Sequence, residues 1–171
     1  MDLATATFLA QTPRSSFDPD RWQDSVRRHC ADIRHHYRAH PRILLAPLEE
    51  HLTPSGIDAQ RIALAEDLLE FLTGIGLTLA DAVATRNHIL NHVFAFVLLV
   101  DHATDRQPTN APRMRLEAPV PEAWLDAHPD TSAPLSRAAL DLEPRSSDDM
   151  FDDAITDIIA ALTARRTRPS R

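Results

Sequence analysis

Apolar residues recur at intervals of three, four and seven along four long segments of this chain. Spacing of this kind places apolar side chains on one face of an α-helix. The segments cover about residues 20–40, 57–76, 78–101 and 147–166. Glycine, which weakens helices, occurs only 3 times in 171 residues. The pattern therefore predicts an all-α fold and argues against a sandwich or a barrel.

Polar residues and prolines at the segment ends predict where the helices begin and end. Asp18-Pro19 combines a capping residue with a proline suited to the first helical position, so we expect the first long helix to begin there. Pro41 opens a shorter helix that ends near Leu52, and Ser55 precedes the next. Thr78 and Asp81 resemble a capping box, and the last helix begins near Ser147.

The distribution of proline divides the chain into a helical domain and its connections. Residues 1–19 form a short helical remnant and linker, 20–166 form the main domain, and 167–171 form a tail. Within the domain, prolines recur between Ala103 and Ser147 among polar residues. This predicts a long, partly flexible connection over 103–147, with short helices near 121–128 and 135–140.

Composition excludes several functional classes. A net charge of −7 repels phosphate backbones, so direct nucleic-acid binding is not expected. The chain has no lysine, phosphate loop or CxxC pair, which argues against a Schiff-base enzyme and a bound nucleotide cofactor. The single Cys30 suits a reducing cytoplasm and is interpreted as inert packing. The longest apolar run, Val93–Val100, is too short to span a membrane.

Three stretches resemble a known family in pattern and order. They are DRWQDSVRRHCADIRHHYRAHPRILLAPLEEH, LAEDLLEFLTGIGLTLADAVATRNHILNHVFAFVLLVDHA and DDMFDDAITDIIAALTAR. Together they resemble the C-terminal effector-binding and dimerisation domain of tetracycline-repressor (TetR) regulators. The opening MDLATATFLAQ resembles only the end of the helix that leads out of the family's helix-turn-helix module. The chain is therefore expected to lack that module, either as a stand-alone domain or as part of a longer protein.

The resemblance implies a homodimeric helical bundle that binds an apolar small molecule and does not bind DNA by itself. Histidines at steps of seven share a stripe of the first helix with aromatic residues, and the resemblance places this stripe beside the ligand pocket. The candidate ligand-binding residues are Trp22, His29, Ile33, His36, Tyr37, His88, His92 and Phe96. The candidate dimer-interface residues are Val93, Val97, Val100, Phe151, Ile155, Ile158, Ile159 and Leu162.

The histidines leave other interpretations open. His88 and His92 are one turn apart and could grip one metal ion, but their helix offers no third ligand nearby, so we predict no metal site. A histidine on an apolar stripe is also commonly structural. An enzyme or ligand-sequestering protein of small-molecule metabolism remains the alternative, with His29, His36, His88 or His92 as acid or base. No contiguous motif identifies catalytic residues.

Charged residues near the helix ends are expected to face solvent. Arg34 and Arg38 lie mostly off the apolar stripe of the first helix. Asp101, His102 and Asp105 form a polar cluster where the helix over 78–101 ends, and such clusters are usually solvated. We therefore expect no buried charge among these residues.

Overall fold

The computed structural model describes residues 12, 14–41, 59–108, 115–116 and 118–167, and no β-strand occurs within these ranges. The all-α prediction is confirmed. The helices are α1 (Trp22–Ala39), α2 (Ala59–Gly74), α3 (Leu79–Phe96), α4 (His102–Asp105), α5 (Glu122–Ala127), α6 (Pro134–Ala138) and α7 (Ser147–Arg166). A π-helical turn, Val97–Asp101, joins α3 to α4, and a 3₁₀ turn, Ala139–Asp141, follows α6. The predicted helix after Pro41 and the Ser55 cap lie outside the described residues.

Four helices, α1, α2, α3 and α7, enclose one apolar core. Helix α7 runs opposite to α1, because Arg166 in its last turn lies over Trp22 and Asp148 in its first turn contacts Arg34. It also runs opposite to α3, because Arg165 reaches Thr85 and Phe151 packs on Phe96. Helices α1 and α3 therefore run in the same direction. The most deeply buried apolar side chains are Val26, Cys30, Leu72, Ala82, Ile89, Val93, Val97, Ile155 and Leu162.

Local capping explains three of the helix ends. The Thr78 hydroxyl accepts the Asp81 N–H at 3.1 Å at the start of α3. At the start of α7, the Ser146 hydroxyl accepts the Asp149 N–H and the Asp149 carboxylate accepts the Ser146 N–H, which completes a capping box. Gly76 has φ of 100° in the turn after α2, a conformation that other residues rarely adopt.

The predicted start of the first helix is wrong by about one turn. The helix begins at Trp22, after a cap at Arg21 that makes no side-chain hydrogen bond. The Asp18 carboxylate instead accepts the Asp20 N–H and the Arg21 Nε, each at 3.0 Å, so it closes a turn ahead of the helix. The Asp18 side chain therefore forms a local Asx-type turn and does not cap the helix.

Arg34 is also not where the sequence pattern placed it. Its residue is 8% exposed, although an arginine off the apolar stripe was expected in solvent. Asp101, interpreted as part of a solvated helix end, is 0% exposed. The two expectations fail together because each side chain neutralises the other inside the bundle.

The residues predicted for a dimer interface are mostly engaged within one chain. Val93 and Val97 are 0% exposed and Ile155 is 1% exposed. Phe151, Ile158, Ile159 and Leu162 are likewise buried, and Val100 packs partly buried against the same core. These side chains belong to the core cluster of a single chain, and their part in a dimer interface stays a prediction.

Two short helices of the connection between α4 and α7, α5 and α6, are joined by hydrogen bonds. Helices α5 and α6 are joined by Arg137, whose Nη2 donates to the carbonyl oxygens of Leu125 and His128. Leu125 is buried, while Trp124 and Leu135 are 67% and 84% exposed. The short helices occur close to where the sequence predicts them.

The segment Leu79–Asp105 is long and apolar enough, by length and composition alone, to cross a membrane. It packs against α1, α2 and α7, and it carries the buried Asp101 that pairs with Arg34. We therefore interpret it as the core helix of a bundle, a position that produces the same apolar composition.

Candidate ligand-binding site

The residues before α1 lie between α1 and α2 and contact two of the predicted histidines. Ser15 Oγ is 2.8 Å from His29 Nδ1, and Thr12 Oγ1 is 3.2 Å from His36 Nε2. Phe17 stacks on Phe71 of α2 with ring centroids 4.5 Å apart, and it lies 5.2 Å from the His29 ring. The entering segment thus forms one wall beside the histidine stripe of α1.

His29 has one satisfied and one unsatisfied ring nitrogen. Nδ1 is bonded to Ser15, whereas Nε2 is buried and has no hydrogen-bond partner in the part of the chain that the structure describes. Burial, and secondarily the positive charge of Arg86, lowers the pKa of His29 to about 4. The imidazole is therefore neutral at pH 7 and can either donate or accept one hydrogen bond at Nε2.

Aromatic rings extend the same site along α1. Tyr37 lies 4.7 Å from Phe94 of α3, and the His36 ring meets the edge of Tyr37 at 5.8 Å. Ile33 and Tyr37 are partly buried against the core. This arrangement offers apolar ring surface with a few polar atoms, which is the usual composition of a small-molecule site.

The structure separates the histidines of α3 from those of α1. His92 lies 6.1 Å from Phe96, and Phe96 packs on Phe151 of α7 at 5.1 Å. Phe94, two residues further along from His92, instead faces Tyr37 of α1. Because residues two apart lie on nearly opposite sides of a helix, His92 does not share the side of α3 that carries Phe94. The predicted set therefore does not converge on one site.

His92 nevertheless shares one property with His29. Its Nε2 is buried without a hydrogen-bond partner among the described residues. Burial, with a smaller effect from His88, lowers its pKa. His88 itself is exposed.

Two further predicted ligand residues belong to the core. Trp22 is 6% exposed, and Arg166 of α7 lies over its ring at 4.8 Å. Phe96 is 7% exposed and packs against both Phe151 and the guanidinium of Arg34. Both side chains belong to the buried core cluster.

An open depression lies next to His29 on the outer side of the entering segment. Its volume is about 450 Å³, and the Arg14–Asp67 ion pair stands at its edge with N–O distances of 2.6 and 2.8 Å. The lining residues are Arg14, Ser15, Ser16, Phe17, Pro19, Asp67, Glu70 and Phe71. It is open to solvent, unlike the enclosed surroundings of His29 Nε2.

An ionic network that the sequence interpretation missed joins α1 to the end of α3 and the start of α7. Arg34 binds Asp101 in bidentate fashion at 2.8 and 2.7 Å, and its guanidinium also lies 2.9 Å from Asp148. Arg38 binds Asp105 at 2.8 and 2.6 Å. Four residues separate the two arginines, Arg34 and Arg38, and four residues also separate the two aspartates, Asp101 and Asp105. This matched spacing is the sequence signal that could have revealed the network.

Two further kinds of reactive group bear on the chemistry of the site, a metal cluster and a cysteine nucleophile. Within the described ranges, no group of three histidine, cysteine or acidic side chains is placed to hold a metal ion. Burial raises the pKa of the Cys30 thiol to about 12, so this cysteine is not a nucleophile at neutral pH.

Comparison with known proteins gives the site its context. The family model described as "Tetracyclin repressor-like, C-terminal domain" matches residues 16–166. The fold is similar to the crystal structure of the Streptomyces coelicolor TetR family protein ActR in complex with actinorhodin, with a TM-score of 0.69 and 23% sequence identity. That alignment covers 97% of this chain and 75% of ActR. No curated protein sequence matches the chain.

Proposed function

The chain belongs to the tetracycline-repressor C-terminal domain family, and from that premise we propose that it binds an apolar small molecule beside His29. The observation that carries the proposal is Nε2 of His29, which is buried and has no hydrogen-bond partner among the described residues. A buried polar atom without a hydrogen bond costs about 1–3 kcal/mol, so a group that supplies the bond is favoured. The rings of Phe17, Tyr37 and Phe94 supply apolar contact surface nearby.

The chemistry of this wall limits the ligand to molecules with an uncharged or acceptor group facing His29. A neutral imidazole matches a hydroxyl or carbonyl group. Arg34 and Arg38 of α1 are already paired with aspartates on the side facing α3 and α7. The crystallised ActR complex contains actinorhodin, and a bound small molecule in a similar fold supports the same class of function here.

The experiment is a thermal-stability screen of apolar small molecules with the whole chain. A ligand at about a hundred times its dissociation constant stabilises the folded state by about 2.7 kcal/mol. His29→Phe should weaken binding of a stabilising compound by about tenfold, because it removes one hydrogen bond to the ligand. His35→Phe is the matched control, since His35 is exposed on the same helix. If no compound in a broad library stabilises the wild type, the proposal fails.

We also propose that the chain forms a homodimer through the outer face of α3. The exposed residues of this helix and its π turn carry no charge, in a chain with 25% charged residues. They are Leu79, Ala80, Val83, Ala84, Asn87, His88, Asn91, Ala95 and Leu99, the last of them 75% exposed. A face without charges, with small side chains at its centre, suits close contact with a second copy.

Sedimentation velocity tests the dimer with one charge placed on that face. Ala95→Glu should shift the chain towards monomer, because two symmetry-related carboxylates would be buried close together. Ala31→Arg is the control, since Ala31 is exposed on α1 away from this face. A wild-type chain that is monomeric at micromolar concentration would contradict the proposal.

In a complete regulator, ligand binding would change how paired DNA-reading modules are placed, so we propose a role in transcription regulation in the cytoplasm. By itself the chain, with a net charge of −7, is proposed not to bind DNA. The enzymatic alternative gains no support from His29, because a base with a pKa of about 4 accepts protons weakly at neutral pH.

A further inference from the structure

Two arginines one turn apart in α1 hold two aspartates one turn apart at the end of α3. Arg34 donates to both oxygens of Asp101 at 2.8 and 2.7 Å, and Arg38 donates to both oxygens of Asp105 at 2.8 and 2.6 Å. Arg38 Nη1 is also 3.3 Å from Asp101. Bidentate pairs have a fixed planar geometry, so together they fix the rotation of the segment that carries the aspartates.

That segment is not a regular α-helix. The His102 N–H bonds to the Val97 carbonyl oxygen, five residues back, and Asp101 is the last residue of this π-helical turn. A π turn holds roughly one residue more than an α turn, and such turns are rare because their packing is poorer. Relaxation to α geometry would rotate the residues that follow by about 100° and advance them by about 1.5 Å.

Such a rotation would break both ion pairs. Asp105 lies one turn beyond Asp101, so it would leave the plane of the Arg38 guanidinium when the turn relaxes. The arginine side is held in place independently, because the Arg34 guanidinium packs against the rings of both Phe96 and Phe151, at 5.1 and 4.5 Å. The stability of the π turn therefore depends on the ion pairs that its aspartates make with arginines held in place on α1.

We infer that the two arginine–aspartate pairs form a register switch. Residues 97–101 adopt the π turn while the pairs are formed, and they relax to an α-helix when the pairs are broken. The relaxed state turns α4 and moves the start of the connection to α5. Since Arg34 also lies 3.3 Å from Ser147 Oγ and 2.9 Å from Asp148, the same change reaches the first turn of α7.

The switch couples the position of α1 to the conformation of residues 97–101. Helix α1 carries His29 and His36 at the site described above, so a ligand that shifts α1 would strain the pairs. This consequence rests on the proposed ligand function. The switch itself is a property of the chain without ligand, and it is tested without one.

The first experiment removes both members of the buried pair. Arg34→Met/Asp101→Leu leaves no unpaired buried charge, and such replacements commonly keep a protein folded. We expect a crystal structure of this variant to show the His102 N–H bonded to the Leu98 carbonyl, four residues back. Arg14→Met/Asp67→Leu removes a bidentate pair at a distant exposed position and should keep the π turn. A folded double variant that keeps the bond from His102 to Val97 overturns the inference.

A second variant tests the switch if the double variant does not fold. Asp105→Asn weakens the outer pair at a site where the carboxylate side chain is 41% exposed, so the fold should survive. Amide hydrogen exchange of residues 102–106 should become about tenfold faster, because the relaxed state is populated more often. Asp157→Asn, at an exposed position of α7, should leave that exchange unchanged. Unchanged exchange in Asp105→Asn overturns the inference.

Discussion

Replacing Arg34 with methionine tests the energetics of the buried network most directly. The substitution keeps an unbranched side chain beside Phe96 and Phe151 but removes the charge. Asp101, which is 0% exposed, would then retain Arg38 at 3.3 Å as its one ion-pair partner among the described residues. Breaking a buried pair by removing one partner costs about 3–5 kcal/mol, and the remaining contact places Arg34→Met near 3 kcal/mol.

The reverse substitution should cost less. In Asp101→Leu, Arg34 keeps Asp148 at 2.9 Å, and Asp148 is well exposed to water. We therefore expect Asp101→Leu to lose about 2 kcal/mol, and Arg34→Met/Asp101→Leu to lie within about 1 kcal/mol of the wild type. Asp101→Leu is expected to lose less stability than Arg34→Met, because Arg34 keeps a closer charged partner than Asp101 does.

Urea unfolding followed by circular dichroism measures these differences, with every variant at the same protein concentration because dimerisation affects apparent stability. Arg14→Met is the control, since the Arg14 side chain is 69% exposed and such a pair contributes about 1 kcal/mol or less. If Arg34→Met changes the free energy of unfolding no more than Arg14→Met does, the reasoning about burial is refuted.

Three further outcomes follow from individual side chains. The pKa of His29, about 4 when folded against about 6.5 when unfolded, means that the unfolded state binds the proton first as pH falls. The folded state therefore loses stability below about pH 6.5. Between about pH 7.5 and pH 5 the wild type should lose about 2 kcal/mol more than His29→Gln. Equal losses of the two proteins in urea unfolding would contradict this. Ser146→Ala removes the capping hydroxyl of α7 and should cost about 1 kcal/mol in the same assay, whereas no loss would show that the cap is not needed. Cys30 is 0% exposed with a thiol pKa of about 12, so a thiol reagent should label it only in denaturant; rapid labelling of the folded chain would contradict its burial.

Periodicity and capping residues were sufficient to predict the long described helices, because both act within a few residues of one another. The bounds of α7, Ser147–Arg166, agree with its prediction from aspartates at one end and arginines at the other. The start of α1 was misplaced because the same Asp18 side chain can cap a helix or close a turn, and sequence spacing does not distinguish the two.

Some features of the candidate site also follow from local sequence, and others depend on the tertiary structure. The sequence alone determined that His29, His36 and Tyr37 share one face of α1, since that depends only on the helical repeat. Only the tertiary structure decided that Ser15 binds one nitrogen of His29 and that the other has no partner among the described residues. It also decided that His92 lies beside Phe96, the ring that packs on Phe151 of α7, because the rotation of α3 is set by packing on other helices.

The buried network depends most strongly on the tertiary structure. Arg34 and Asp101 are 67 residues apart, and each by itself has the character of a surface residue. Their burial is favourable only when both enter the core together, with oxygens and nitrogens in bidentate contact. Helix type and helix face follow from local chemistry, whereas the partner of a buried charge is decided by which helices meet.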